Sequence, residues 1–180
     1  SRGLGDVYKR QIQRIESDEY FMQCMSGEKQ VIMTGELFGA KWKIKMDSYH
    51  PGKAIVDLKY MQSLTKFGYV PDIGYLDFVR YWGYDVQGAI YQEIVRQNTG
   101  KKLPFYIAGI SKEDAIDIEV IYIHDNYLHE ALRRVETCMP RILEVKSGKV
   151  KPERCEQCLW CRDTKVLRGA IGIGDLTASL

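Results

Sequence analysis

The 180-residue chain contains no apolar run close to the roughly 20 residues needed to cross a bilayer. The N-terminus also lacks the apolar stretch of a secretion signal. No internal repeat and no low-complexity segment is present. Charge of one sign is missing too, because 26 Lys and Arg stand against 24 Asp and Glu. What is there is a hydrophobic content of 45%, enough for one domain with a real core. The cysteine count is odd, at five, which in a chain without a secretion signal argues for thiols rather than disulfides and for the cytosol.

The segment from Ser1 to Gln11 resembles the in-frame translation of a transposase sequencing adapter, so residues 1–11 are expected to be non-native. It carries Arg2, Lys9 and Arg10 against Asp6 alone. Without it the basic and acidic residues are equal in number, and the formal net charge of +2 falls to zero. Global charge therefore says nothing about nucleic acid, and any attraction to phosphate has to come from a local patch.

Patterning predicts one α/β domain on a central mixed sheet, in the order (α)βββαββα. Ile12 to Met25 reads as the tail of a helix ended by Ser26-Gly27. Strands follow over Lys29–Phe38, Lys41–Ser48 and Ala54–Lys59, the last two joined across the turn His50-Pro51-Gly52-Lys53. Tyr60 to Tyr75 has no clean period, contains Gly68, Pro71 and Gly74, and reads as a surface loop bordering a site. From Leu76 to Gln97 the period is helical, with Val79, Trp82, Val86, Ile90 and Ile94 as an apolar stripe and Asn98-Thr99-Gly100 as the stop. Pro104–Ile110 and Ile116–Ile123 read as strands, and Tyr127–Lys146 as a second helix. Residues 151–180 form a cysteine-containing, Gly-rich tail.

The chemistry concentrates at the turn. Trp42, Ile44 and Met46 alternate with Lys43, Lys45 and Asp47, while Val56 and Leu58 alternate with Asp57 and Lys59. A turn centred on Gly52 sets Asp47 and Asp57 opposite each other, where two like charges repel unless a cation lies between them. Asp47, Asp57 and the Leu58 carbonyl are the hard oxygens that Mg²⁺ prefers, and Lys59 stands beside them as a compact cation able to orient water or stabilise charge. An ordinary hairpin with solvated charges fits the Asp-x-Lys element equally. On the first helix Gln87 and Tyr91 share a face at i and i+4. They could hydrogen-bond phosphate or Lys59, or form a plain polar edge.

Taken together and in this order, Asp47, Asp57-x-Lys59 and Gln87-x-x-x-Tyr91 resemble the PD-(D/E)XK nuclease superfamily in its RecB-like branch. Within it the chain is most similar to the RecE, or exonuclease VIII, C-terminal nuclease type of phages and prophages. The similarity runs from about Ile12 to the end and includes Trp82-Gly83-Tyr84-Asp85. The resemblance implies a restriction-endonuclease-like core over residues 12–150 and a Mg²⁺- or Mn²⁺-dependent exonuclease acting on duplex DNA ends for recombination. It further implies a homo-oligomer, a single-strand annealing recombinase as partner, and no membrane. Asp47 and Asp57 would be metal ligands, Lys59 the catalytic lysine, and Gln87 and Tyr91 the accessory motif, with Glu28 as an upstream acidic residue. Members of the family usually carry a histidine upstream of the first Asp. Here His50, His124 and His129 all follow Asp47. An N-terminally truncated core with weak or no activity is therefore expected.

Cys155-x-x-Cys158-x-x-Cys161 offers soft thiolates at a spacing suited to Zn²⁺ or an iron–sulfur cluster, one ligand short of four. Related nucleases complete such a cluster from before the core, so Cys24, Cys138 or a residue outside the chain could supply the fourth. Reduced thiols holding nothing fit as well. A catalytically silent module that binds nucleic acid or a partner through a cysteine-bound metal is the alternative function. The intact Asp47, Asp57 and Lys59 favour the enzyme.

Overall fold

The computed structural model describes residues 4–70, 73–156 and 158–174, with side chains from residue 8 onward. Residues 1–3 of the adapter-like segment, Pro71 of the expected loop and residues 175–180 of the tail lie outside the described residues. The chain divides into two compact units, residues 1–140 and residues 141–180.

The first unit opens with helices α1 (Leu4–Glu16) and α2 (Glu19–Cys24). The single helix expected there is broken because Asp18 takes an extended conformation and caps α2, its carboxylate accepting the Phe21 N–H at 2.8 Å. Gln11 is buried in α1 and donates to the Ser111 carbonyl at 3.1 Å. Strands β1 (Glu28–Leu37) and β2 (Ala40–His50) then form a long antiparallel ribbon, and β3 (Ala54–Met61) follows the turn at Gly52. The expected loop over residues 60–75 instead holds a small hairpin, β4 (Gly68–Val70) and β5 (Gly74–Leu76).

The helix expected over residues 76–97 is also two, α3 (Phe78–Tyr81) and α4 (Tyr84–Thr99). Gly83 lies between them at φ 70°, a left-handed backbone that glycine adopts without strain. The break takes Trp82 out of the apolar stripe. Its indole is 62% exposed, whereas Val79, Ile90 and Ile94 stay in the core. Strands β6 (Phe105–Ser111) and β7 (Ile118–Ile123) and helix α5 (Asp125–Lys146) complete the set, close to their expected spans.

The five large strands form one mixed sheet in the order β1-β2-β3-β6-β7, with β3 and β6 parallel and the other neighbours antiparallel. This is the mixed α/β architecture expected, a restriction-endonuclease-like core. The main core lies between one sheet face and α4, around Ile94, Phe105 and Ile107. A smaller core on the other face packs Phe21 against Val56, Ala108 and Ile110. The tip of the ribbon is fastened to the end of α4. Gln97 exchanges hydrogen bonds with the backbone of Glu36 (3.2 and 3.0 Å), and Asn98 donates to the Thr34 carbonyl at 2.9 Å.

The second unit contains the end of α5 and the short helix α6 (Leu159–Asp163). Arg154 organises it. Its guanidinium lies 5.2 Å from the Trp160 ring centroid and donates to the Cys161 carbonyl and, at 3.0 Å, to the Thr164 hydroxyl.

Helix α4 approaches β6 through Gly88, where an added Cβ would lie 2.6 Å from the Phe105 ring and 3.0 Å from Leu128. Both neighbours are buried. Gly88→Ala is expected to push the helix from the sheet and destabilise the domain by about 1–3 kcal/mol, readable as a lower urea midpoint.

Candidate active site

Strand pairing explains where the site forms. β2 and β3 are paired only at Ser48–Val56, Tyr49–Ile55 and His50–Ala54. The next residues in that register are Asp47 and Asp57, and there the ladder stops. Past Val56, the β2-facing edge of β3 has lost its strand partner, and its backbone donors need another. The Leu58 N–H finds the Asp47 carboxylate, donating to Oδ2 at 3.0 Å. The expected pair is thus brought together, bridged through the backbone between Asp57 and Lys59.

The simple alternation read in β2 does not run through Asp47. Ile44 and Met46 lie in the α4-side core, yet so does Tyr49, so the strand shifts phase by one residue between Met46 and Tyr49. Opposite Asp47, between the pairs Lys29–Ser48 and Val31–Met46, stands Gln30 at φ 54°. A residue with a side chain adopts that left-handed backbone at a cost of about 1–2 kcal/mol. Gln30 Nε2 donates to Asp47 Oδ1 at 2.8 Å, so each oxygen of Asp47 has a donor.

Asp57 is buried at 2% exposure. Gln87 Nε2 donates to its Oδ1 at 2.8 Å, and Lys59 Nζ lies 2.5 Å from its Oδ2. Each Asp57 oxygen thus has one partner, the Gln87 amide on Oδ1 and the Lys59 ammonium on Oδ2. Burial pushes the Asp57 carboxyl above its ordinary value. Lys59 and Gln87 pull it back and the Asp47 charge adds to the rise, but burial wins. Lys59 is held from its other side by Tyr84, its ammonium 4.6 Å from the ring centroid. Tyr91 does not reach Lys59. Its hydroxyl donates to the Lys45 carbonyl at 3.0 Å, tying α4 to β2 two residues before Asp47. Burial raises the Tyr91 phenol above its usual value, which keeps it a proton donor.

Gln87 and Tyr91 therefore split the work expected of them: one grips the buried carboxylate, the other the strand bearing its partner. Gln30 and Tyr84 were not singled out from the sequence. Gln30 could have been found from the ribbon register, and Tyr84 from the Trp82-Gly83-Tyr84-Asp85 run. Glu28 opens β1 opposite Tyr49, exposed, with no hydrogen bond or ion pair to the carboxylates among the described residues.

The donor set fits a hard divalent cation. It offers two carboxylates, one of them buried with only the Lys59 ammonium on its second oxygen among the described residues, and a strand edge that turns the Leu58 carbonyl to the same side as its N–H.

In the second unit the sulfurs of Cys155, Cys158 and Cys161 lie within 4.8 Å of one another, the first and last 3.8 Å apart. The Cys158 N–H donates to Cys155 Sγ at 3.3 Å and the Cys161 N–H to Cys158 Sγ at 3.4 Å. The Cys161 amide pulls the Cys158 thiol down, but the neighbouring sulfurs outweigh it and hold the thiol above its ordinary value. Thiols so crowded lose their protons together only when a cation joins them. Cys24 and Cys138 belong to the first unit.

A mixed sheet whose middle strands part around an Asp and an Asp-x-Lys, with a helix closing over them, is the architecture of the PD-(D/E)XK nuclease superfamily. More narrowly, residues 6–164 match the family described as "PDDEXK-like domain of unknown function (DUF3799)", and the chain belongs to that family. Among solved structures it is similar to the crystal structure of a protein named "Putative exonuclease" from Eubacterium rectale, at 66% identity and a TM-score of 0.90. The match covers 97% of this chain and 66% of that one, so this chain spans just under two thirds of that relative's length. No curated protein matches the chain.

The raised Asp57 carboxyl has a signed consequence. The folded protein keeps this proton to a higher pH than the unfolded chain does. Its contribution to stability is full below the unfolded value of about 3.9 and is lost as pH rises through the raised folded value. In urea titrations with EDTA between acid and neutral pH, wild type should lose more stability with rising pH than Asp57→Asn. Parallel profiles would contradict the burial argument.

Proposed function

We propose that the protein is a metal-dependent exodeoxyribonuclease that hydrolyses phosphodiester bonds at duplex DNA ends. The observation that carries this reading is the buried Asp57 carboxylate, held between Gln87 and Lys59 and facing Asp47 where the strands part. Such a desolvated charge is costly for folding alone, and sites of this kind are where chemistry is found. Family membership and the resemblance to the Eubacterium rectale protein support the same class.

In this reading Asp47, Asp57 and the Leu58 carbonyl would hold Mg²⁺ or Mn²⁺. The ion, when bound, supplies an activated water and neutralises charge on the phosphate. Gln87 fixes the orientation of the Asp57 carboxylate through Oδ1. Gln30 and the Leu58 amide do the same for Asp47. Lys59, steadied by the Tyr84 ring, donates to the water or to a phosphate oxygen as negative charge grows. Tyr91 keeps β2 and α4 in register, so the two carboxylates hold their separation.

The resemblance to the RecE type extends the proposal to recombination of phage or prophage DNA, with a single-strand annealing recombinase as partner, a homo-oligomer as the working form, and the bacterial cytoplasm as its place. Among the described residues no helix is long and apolar enough to cross a membrane. For the cysteine triad we propose a structural Zn²⁺ or iron–sulfur cluster. The close sulfurs and their N–H···S bonds support it, and the Arg154 guanidinium adds positive charge beside Cys158 and Cys161.

Two experiments test these assignments. On linear duplex DNA with Mg²⁺, Asp57→Ala should abolish measurable digestion and Lys59→Ala should slow it by about 10²–10³-fold. Digestion by Asp57→Ala at the wild-type rate would overturn the site. For the cysteines, elemental analysis and the visible spectrum of protein purified without oxygen should show one bound metal centre that Cys158→Ser and Cys161→Ser lose. An unchanged metal content in both variants would remove the triad from consideration.

A further inference from the structure

Past Lys59 along β3, from Tyr60 onward, the surface opens into a cleft of about 480 Å³, and Tyr84 lines it while its ring meets the Lys59 ammonium. Among the described residues that line it there are two lysines, Lys66 and Lys112, and no carboxylate. That asymmetry stands out in a chain whose overall charge is nearly balanced. The remaining walls are unusually aromatic. Phe67 is 64% exposed and Trp82 62%, and Tyr81 and Tyr84 stand beside them.

Trp82, Tyr81 and Tyr84 are held in place rather than left loose. Gly83 ends α3 and turns Trp82 out of the core. Tyr81 meets Trp82 edge to face, with centroids 5.2 Å apart and planes at 85°. The Tyr81 ring also lies against Gly68 of β4, with no room for even a methyl group between them. Tyr84 belongs to the cleft and to the catalytic group at once. Its ring carries the Lys59 ammonium, and its hydroxyl donates to Met61 Sδ at 3.2 Å. Exposed aromatic faces interleaved with cations suit a ligand that has flat π surfaces and a polyanionic backbone. A closed duplex hides its base faces in its own stack and cannot use these rings.

We propose that this cleft holds the unpaired bases of a DNA strand next to the scissile phosphate, with Trp82 and Phe67 as stacking surfaces and Lys66 and Lys112 on the phosphates. The proposal rests on the nuclease reading of the carboxylate site and specifies its substrate as a strand locally freed from its complement. The β4–β5 hairpin and α3 then have a shared purpose: they build a stacking platform one side chain away from Lys59.

The test is anisotropy with a fluorescein-labelled oligo(dT) of about twelve nucleotides, in EDTA so that nothing is hydrolysed, beside a blunt duplex of the same length. Trp82→Ala and Phe67→Ala should each weaken oligo(dT) binding about tenfold and leave duplex binding nearly unchanged. Lys66→Ala and Lys112→Ala should each lower the slope of log affinity against log salt by about one. These side chains are exposed or at the cleft rim, and an unchanged melting temperature confirms that each variant folds. Undiminished oligo(dT) binding by both aromatic variants would overturn the proposal. So would an equal loss on the blunt duplex, or no oligo(dT) binding by wild type. Because the assay needs no catalysis, its failure is separate from that of the nuclease reading, which falls if Asp57→Ala digests DNA as wild type does.

Discussion

The parting of β2 from β3 after the Ser48–Val56 pair governs the rest of the site. Had the ladder continued, the edge of β3 beyond Val56 would have bonded to β2, and two carboxylates would have met across an ordinary pair. Instead the Leu58 N–H is satisfied by an Asp47 side chain. The gap is therefore a consequence of backbone accounting: a buried strand edge must find partners, and here one is a carboxylate. On the other side β3 stays in register with β6 over seven pairs, from Ile55–Phe105 to Met61–Ser111, so the strand is rigid where it faces the sheet and open where it faces the chemistry.

Burial and charge oppose each other at Asp57. Removing a carboxylate from water is expensive, and one lysine and one amide only partly offset that cost, as the raised carboxyl shows. Gln30 adds a second tension, since its left-handed backbone is what brings its amide to Asp47. Both tensions lie within hydrogen-bonding reach of the same two carboxylates, and a divalent cation would relieve the larger one directly. A fold without such a ligand would be better served by an amide or a hydroxyl at residue 57.

Much of this was legible in the sequence because it depends on local periods. The five large strands, the stop at Gly100 and the facing of Asp47 and Asp57 follow from alternation and a turn centred on Gly52. The four-residue spacing of Gln87 and Tyr91 placed both on the helix that covers the carboxylates, although Tyr91 binds the Lys45 carbonyl rather than Lys59. What periodicity could not show is where it is interrupted. The apolar stripe ran unbroken through Trp82, but the left-handed Gly83 cut the helix and sent the indole to the surface. The phase shift in β2 was hidden too, because it falls opposite a left-handed Gln30 on the neighbouring strand that no alternation announces. The β4–β5 hairpin has strands too short for any period to declare itself.

Helix α4 touches the ribbon from its middle, through Tyr91 on Lys45, and from its C-terminal end, through Gln97 and Asn98 on Glu36 and Thr34, and it grips Asp57 through Gln87. Three residue pairs join the ribbon to β3. The ribbon is thus moored to the helix as well as to its neighbour in the sheet. Lifting α4 would remove the Gln87 donor from Asp57 and the Tyr91 anchor from β2 in one event, while the donors to Asp47, Gln30 and the Leu58 N–H, lie within the sheet. The two carboxylates are thus supported from different places, Asp57 from the helix and its own strand and Asp47 from the neighbouring strands, so a disturbance of α4 reaches Asp57 first.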